Sequence, residues 1–138
     1  MGRKPKARNI TYFKNRSKNA ELELVKLLQA EGWLAQRTPT SASGNVEFGD
    51  VTAVKPGQFR AFEVKTLDEP KIIVIKKNQL EKLLANVQRY RYAGLFSIGH
   101  IAVRTFNPKR WHFYPVKNLP KSDLLIDVAK ELGLEWFD

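Results

Sequence analysis

The 138-residue sequence predicts an α/β domain in which a central β-sheet is flanked by helices, and three observations carry that expectation. Short runs rich in β-branched and aromatic residues recur along the chain. Segments with apolar residues at helical spacing lie before, between and after those runs. Gly- and Pro-containing turn chemistry separates them, notably Lys55-Pro56-Gly57-Gln58 and Asn107-Pro108-Lys109-Arg110. The length suits one domain with a single modest core.

Taken in order, residues 1–14 form a basic arm expected to be mobile, and residues 15–138 the single domain. Lys18 to Trp33 repeats apolar residues at helical spacing, with Leu24, Val25, Leu27 and Leu28 as its core stripe and Gly32 as its stop. Trp33 to Thr38 reads as a first strand. Thr38 to Glu47, with Pro39 and the Ser41-Ala42-Ser43-Gly44 run, reads as a mobile loop, and Val46 to Val54 resumes the sheet. Phe59 to Thr66 is the central strand, and Lys71-Ile72-Ile73-Val74-Ile75 a further extended run. Gln79 to about Arg91 is a basic helix with Leu80, Leu83, Leu84 and Val87 buried. Ile98 to Phe106 and Trp111 to Val116 read as two strands joined by a turn with a basic tip. The last segment predicts a C-terminal helix from Ser122, the N-cap, to Gly133, with Leu124, Leu125, Val128, Ala129 and Leu132 as its stripe.

Charge bounds the partners. A formal net charge of +10 and a pI near 9.9 point to a polyanion. From Arg3 to Lys18 there are seven basic residues and no acid, among them Arg3, Lys4, Lys6 and Arg8. From Pro70 to Pro120 basic residues recur, including Lys76, Lys77, Arg89, Arg91, Lys109 and Arg110, against the single acid Glu81. With no cysteine, neither a disulfide framework nor a Cys-based zinc site is possible. His100 and His112 fall in separate strand-like runs and read as structural. No apolar span approaches membrane length, and the arm lacks the apolar stretch of a signal peptide, so the protein is expected to work inside a cell without a membrane partner.

The chemistry concentrates in Asp50 and in Phe62-Glu63-Val64-Lys65, thirteen residues further on. Side chains alternate along a strand, so Glu63 and Lys65 share one face while Phe62 and Val64 point into the other layer. A hairpin through Lys55-Pro56-Gly57-Gln58 brings Asp50 to the same place. Two carboxylates bind a hard cation such as Mg²⁺ through oxygen, and a neighbouring lysine orients water or offsets charge developing on a phosphate. That trio suits phosphodiester hydrolysis. In isolation the same residues would also make a solvated strand face with one Glu-Lys pair. Glu21 borders the first helix's stripe while Glu23 lies on a more exposed flank, which makes Glu21 the better third carboxylate, although an acid in a first helical turn is also favoured by the dipole.

Ala20-Glu21-x-Glu23-Leu24-Val25, Arg37 before the Ser/Gly loop, Asp50-Val51-x-Ala53, Phe62-Glu63-Val64-Lys65, and Gln79 opening a helix resemble, in order and spacing, the archaeal Holliday junction resolvases. These are restriction-endonuclease-like, PD-(D/E)xK nucleases, and the resemblance runs from about Lys18 to about Val103. It implies a central mixed sheet flanked by helices. It implies Glu21, Asp50 and Glu63 as acidic metal-site residues and Lys65 as the lysine that positions the base. It also implies a loop serine near the scissile phosphate, either Ser41 or Ser43. Gln79 matches a glutamine often found at the start of the second helix and reads equally as a helix N-terminal polar residue. Gly49 departs from the proline that commonly precedes the aspartate.

The expected activity is resolution of four-way DNA junctions by a Mg²⁺-dependent endonuclease, with Mn²⁺ able to substitute. The enzyme would be a homodimer, because a junction needs two symmetric nicks and one domain holds one site. Leu95, Phe96 and the C-terminal helix are the apolar candidates for the dimer surface. Arg3, Lys4, Lys6, Arg8, Arg37, Lys76, Lys77, Gln79, Arg89, Arg91, Lys109 and Arg110 are the candidate DNA contacts. The alternatives are a nuclease of the same fold acting on other branched or restriction-type substrates, and a non-enzymatic basic DNA-binding protein.

Overall fold

A computed structural model describes residues 10–38 and 50–137. The elements run α1 (Ile10–Ala30), β1 (Leu34–Arg37), β2 (Val51–Lys55), β3 (Gln58–Leu67), β4 (Ile72–Ile75), α2 (Lys77–Tyr92), β5 (Phe96–Phe106), β6 (Lys109–Val116) and β7 (Leu124–Asp127). Five strands form one mixed sheet in the order β1-β2-β3-β5-β6. Only the central β3-β5 pair is parallel, and α2 is its crossover. β4 and β7 make a separate antiparallel pair. Among the described residues no helix is long and apolar enough to cross a membrane.

Strand parity divides the core. On one face of the sheet, Phe62 and Val64 of β3 pack with Ala20, Leu24 and Leu28 of α1, Val51 and Ala53 of β2, and Phe113 of β6. On the other, Phe59, Ala61 and Leu67 of β3 meet Leu80, Leu83 and Val87 of α2 and the inward residues Ile73, Ile75 and Ile126 of the small ribbon. The approach of α2 to the sheet requires a glycine. A Cβ at Gly99 would come within 3.1 Å of Leu83 and 3.2 Å of Val87.

α1 ends as expected, where Gly32 adopts φ +91° and the Trp33 N–H returns to the Leu28 carbonyl. It begins earlier than expected. Residues 10–14, assigned from sequence to the mobile arm, are helical, because Arg16 fastens this end of α1 to Thr66 and Asp68 beyond the middle of the sheet. Leu27, assigned from sequence to the core stripe, is exposed, while Ala20, not assigned to it, is buried with Leu24 and Leu28.

The C-terminal helix is not formed. Leu124–Asp127 is instead β7, paired antiparallel with β4 from Ile72↔Asp127 to Ile75↔Leu124. The apolar positions of this segment satisfy both periods, and tertiary demand decides between them: β4 stands outside the main sheet and needs a strand partner for its backbone. Ile126 and Val128 are buried, whereas Leu125 and Leu132 of the predicted helical stripe are exposed. Ser122 does not cap a helix. Its neighbour Asp123 accepts from the Lys77 N–H at 2.8 Å and so caps α2. The two histidines are structural, as expected: His100 is stacked on Phe62, and His112 bonds Thr105 and the Leu132 carbonyl.

Candidate active site

The β2-β3 hairpin builds the centre of the site. Gly57 takes φ +76° in its turn, and the register runs from Lys55↔Gln58 to Val51↔Phe62. One step beyond, the Asp50 N–H bonds the Phe62 carbonyl at 2.8 Å, so Asp50 stands beside Glu63 on the next strand. Its Oδ2 accepts from the Val64 N–H at 2.8 Å, which fixes the carboxylate at the end of β2. Glu63 and Lys65 project from the same face of β3, with Lys65 Nζ 3.7 Å from Glu63 Oε2.

These carboxyls are poorly solvated. Burial, with the nearby charge of Asp50 second, pushes Glu63 up to about 8, against a favourable Lys65. Asp50 is raised too, chiefly by burial and despite the Val64 N–H and Lys65. The charge of Asp50 thus opposes ionisation of Glu63 beside it. Their all-oxygen donor set is what a hard divalent cation takes.

Gln79 joins the site from α2. Its Oε1 accepts from Lys65 Nζ at 3.2 Å and from the Lys76 N–H at 3.3 Å. Gln79 is thus a polar group of the helix N-terminus that also contacts the lysine.

Glu21 is placed differently from Asp50 and Glu63. It projects from α1, and Arg37 Nε of β1 donates to its Oε1 at 2.9 Å. Burial raises its carboxyl foremost, and the charge of Asp50 raises it further, which places Glu21 at the border of the site. Among the described residues no three His, Cys, Asp or Glu side chains converge closely enough to form a metal site. Asp50 and Glu63 are the two that meet.

Ser41, Ser43, Arg3, Lys4, Lys6 and Arg8 lie outside the described residues. Of the remaining DNA candidates, Arg37 is engaged by Glu21, and Lys76 and Lys77 stand at the N-terminus of α2 near Asp123. Lys109 and Arg110 open β6 opposite the end of β5, at the same end of the sheet as Leu67. Arg89 and Arg91 are not brought to the site. They sit about ten residues along α2 from Gln79, or about 15 Å, and Arg91 Nη2 bonds the Ser97 carbonyl at 2.9 Å. Sequence reasoning did not select Arg16, which touches Thr66, the residue after Lys65. Its only signal was membership of the acid-free basic run from Arg3 to Lys18, since the contact spans fifty residues.

The chain resembles known proteins over most of its length. Residues 12–136 match the family model described as archaeal Holliday junction resolvase (Hjc). A crossover junction endodeoxyribonuclease Hje from Saccharolobus islandicus is 32% identical over 120 residues, covering 86% of this chain and 83% of that protein. The Hje of Saccharolobus solfataricus is 31% identical over 119 residues, with the same coverage. The structure of Hjc, a Holliday junction resolvase from Archaeoglobus fulgidus, superposes with a TM-score of 0.67 at 23% identity, covering 83% of this chain and 95% of that one. The fold is thus restriction-endonuclease-like, a mixed sheet between helices. With residues 12–136 matched by the family model and a relative 32% identical over 86% of the chain, the chain belongs to the archaeal Holliday junction resolvase family.

Proposed function

We propose that this protein is a Mg²⁺-dependent endonuclease that resolves four-way DNA junctions inside the cell, working as a homodimer that makes paired nicks. The observation that carries the reading is the meeting of Asp50, Glu63 and Lys65 at the end of one hairpin, with Gln79 held against the lysine. Family membership supplies the substrate class.

Asp50 and Glu63 would hold the cation, with Glu21 as the bordering third acid and Mn²⁺ able to substitute. When bound, the cation supplies Lewis-acid activation of water and charge neutralisation at the phosphate. Lys65 places an ammonium beside the scissile phosphate, orienting the attacking water and offsetting negative charge as it develops. Gln79 takes one of the three Nζ donors of Lys65 and leaves its direction defined. Arg37 brings a second cation to the border of the site through Glu21. One such site per chain cuts one strand, so a two-fold dimer matches a junction whose scissile phosphates are related by the same symmetry. Of the apolar candidates for that dimer surface, Phe96 is exposed and Leu95 half-buried.

The test compares a synthetic four-way junction with linear duplex of the same sequence at matched salt, with and without Mg²⁺. Paired symmetric nicks near the branch, abolished by chelation and by Asp50→Asn with junction binding retained, are expected. Equal cutting of linear and branched DNA would replace the reading by that of a general nuclease. Binding without cutting by freshly metallated wild-type protein would leave a DNA-binding protein.

A further inference from the structure

Arg16 lies in a cleft of about 670 Å³ formed between the first turns of α1 and the end of the β5-β6 hairpin. Its guanidinium rests on the rings of Phe106 and Phe13, 5.1 and 5.5 Å from their centroids. Nε donates to Thr66 Oγ1 at 3.2 Å, and Nη1 pairs with the Asp68 carboxylate. The partners are unequal in exposure: the Arg16 side chain is 14% exposed and that of Asp68 59%. Asp68 is the single acid lining the cleft, whereas the amides of Asn15, Asn19 and Asn107 and the phenol of Tyr12 line the rest.

A largely desolvated guanidinium neutralised only by a well-hydrated carboxylate is poised for a stronger anion. An exposed pair of this kind is worth little, and a phosphate offers bidentate acceptance to the arginine fork. Side-chain amides and phenols are also usual contacts of DNA phosphates. The cleft opens at the same end of the sheet as Lys65, one residue before Thr66.

We propose that this cleft is a phosphate subsite for the backbone of the bound DNA, in which a phosphate displaces Asp68 from Arg16. The inference rests on the junction-binding reading above and names a contact outside the metal-binding carboxylates. Asp68 then acts as a competitor that DNA must displace.

A double-mutant cycle on the full-length protein tests it, with a four-way junction as probe, chelator present to prevent cutting, and affinity measured across a salt series. Asp68→Asn is expected to tighten binding about threefold, and Arg16→Met, which keeps the aliphatic stem, to weaken it about tenfold. Arg16→Met should also lower the log-log salt slope by about 0.9. In the Arg16→Met background, Asp68→Asn should give no gain. An equal gain in both backgrounds, or unchanged affinity on loss of Arg16, overturns the subsite.

Should Arg16→Met fail to fold, Asn15→Asp and Asn19→Asp on the exposed face of α1 replace it. Each is expected to weaken binding severalfold more than Asn118→Asp, placed after Val116 at the opposite end of β5. Equal effects of the three would refute the proposal. If wild-type protein does not bind the junction at all, the functional reading fails; if it binds but the cycle shows no coupling, only the subsite does.

Discussion

Replacing Glu63 by glutamine should stabilise the metal-free protein at alkaline pH while abolishing cleavage. Glu63 in the folded protein is pushed from 4.5 to about 8, first by burial and then by Asp50. The unfolded chain has no such environment, so between about pH 4.5 and 8 the folded state holds more protons than the unfolded one. Stability therefore falls as pH rises through that window and levels off above it. This is the reverse of the usual salt-bridged carboxylate. A full proton of difference costs about 1.4 kcal/mol per pH unit. Because Asp50 and Glu63 lie side by side and influence each other's ionisation, the loss spreads over both groups, and about 2–4 kcal/mol should disappear between pH 5 and 8.

Glutamine keeps the shape and removes the charge. Thermal unfolding in chelator should show the wild-type midpoint dropping with pH and the Glu63→Gln midpoint nearly flat. At pH 8 the variant should melt several degrees higher, at roughly 3 °C per kcal/mol. Added Mg²⁺ should raise the wild-type midpoint and leave the variant's unchanged. Parallel pH profiles for the two proteins, or a variant less stable at pH 8, would refute the idea that two buried acids crowd each other here.

Lys65→Ala should lower turnover about a hundredfold or more with junction affinity retained, checked by single-turnover cleavage beside binding in chelator. Gln79→Leu removes the acceptor of both Lys65 and the Lys76 N–H. It should cost about 1 kcal/mol in denaturant unfolding, and turnover should fall while affinity holds. Gly99→Ala presses a methyl against Leu83 and Val87 and should destabilise by about 1–3 kcal/mol without changing metal dependence.

What was legible in the sequence follows how local the determining contacts are. Leu24 and Leu28 of the α1 stripe, both α2 boundaries to within two residues, and β3, β5 and β6 were readable, since periodicity and turn chemistry act within a few residues. The C-terminal segment was not. Leu124, Leu125, Val128 and Leu132 fit a helix, yet Ile126 and Val128 fit a strand, and what decides is β4, about fifty residues away, which has no other strand partner among the described residues. Likewise no local pattern announces that Arg16 reaches Thr66, or that Asp123 caps α2. Glu21 was found by its helical position, but its bond to Arg37 depends on how α1 lies across β1.

The spacing of the central residues is where sequence and site meet most directly. The Pro56-Gly57 turn sets Lys55 opposite Gln58, and each step back along β2 is matched by one step forward along β3. Residue 50 must then face residue 63, so a thirteen-residue separation becomes a contact between two carboxyls. Strand parity does the rest. Because Phe62 and Val64 are claimed by the α1 core, Glu63 and Lys65 are obliged to face the α2 layer, where Gln79 waits at the first turn of the helix. A one-residue slip of this hairpin would bury the charges in the α1 core and expose the phenylalanine. The hydrophobic pattern that folds β3 is therefore the same constraint that aims its two charged residues at one place.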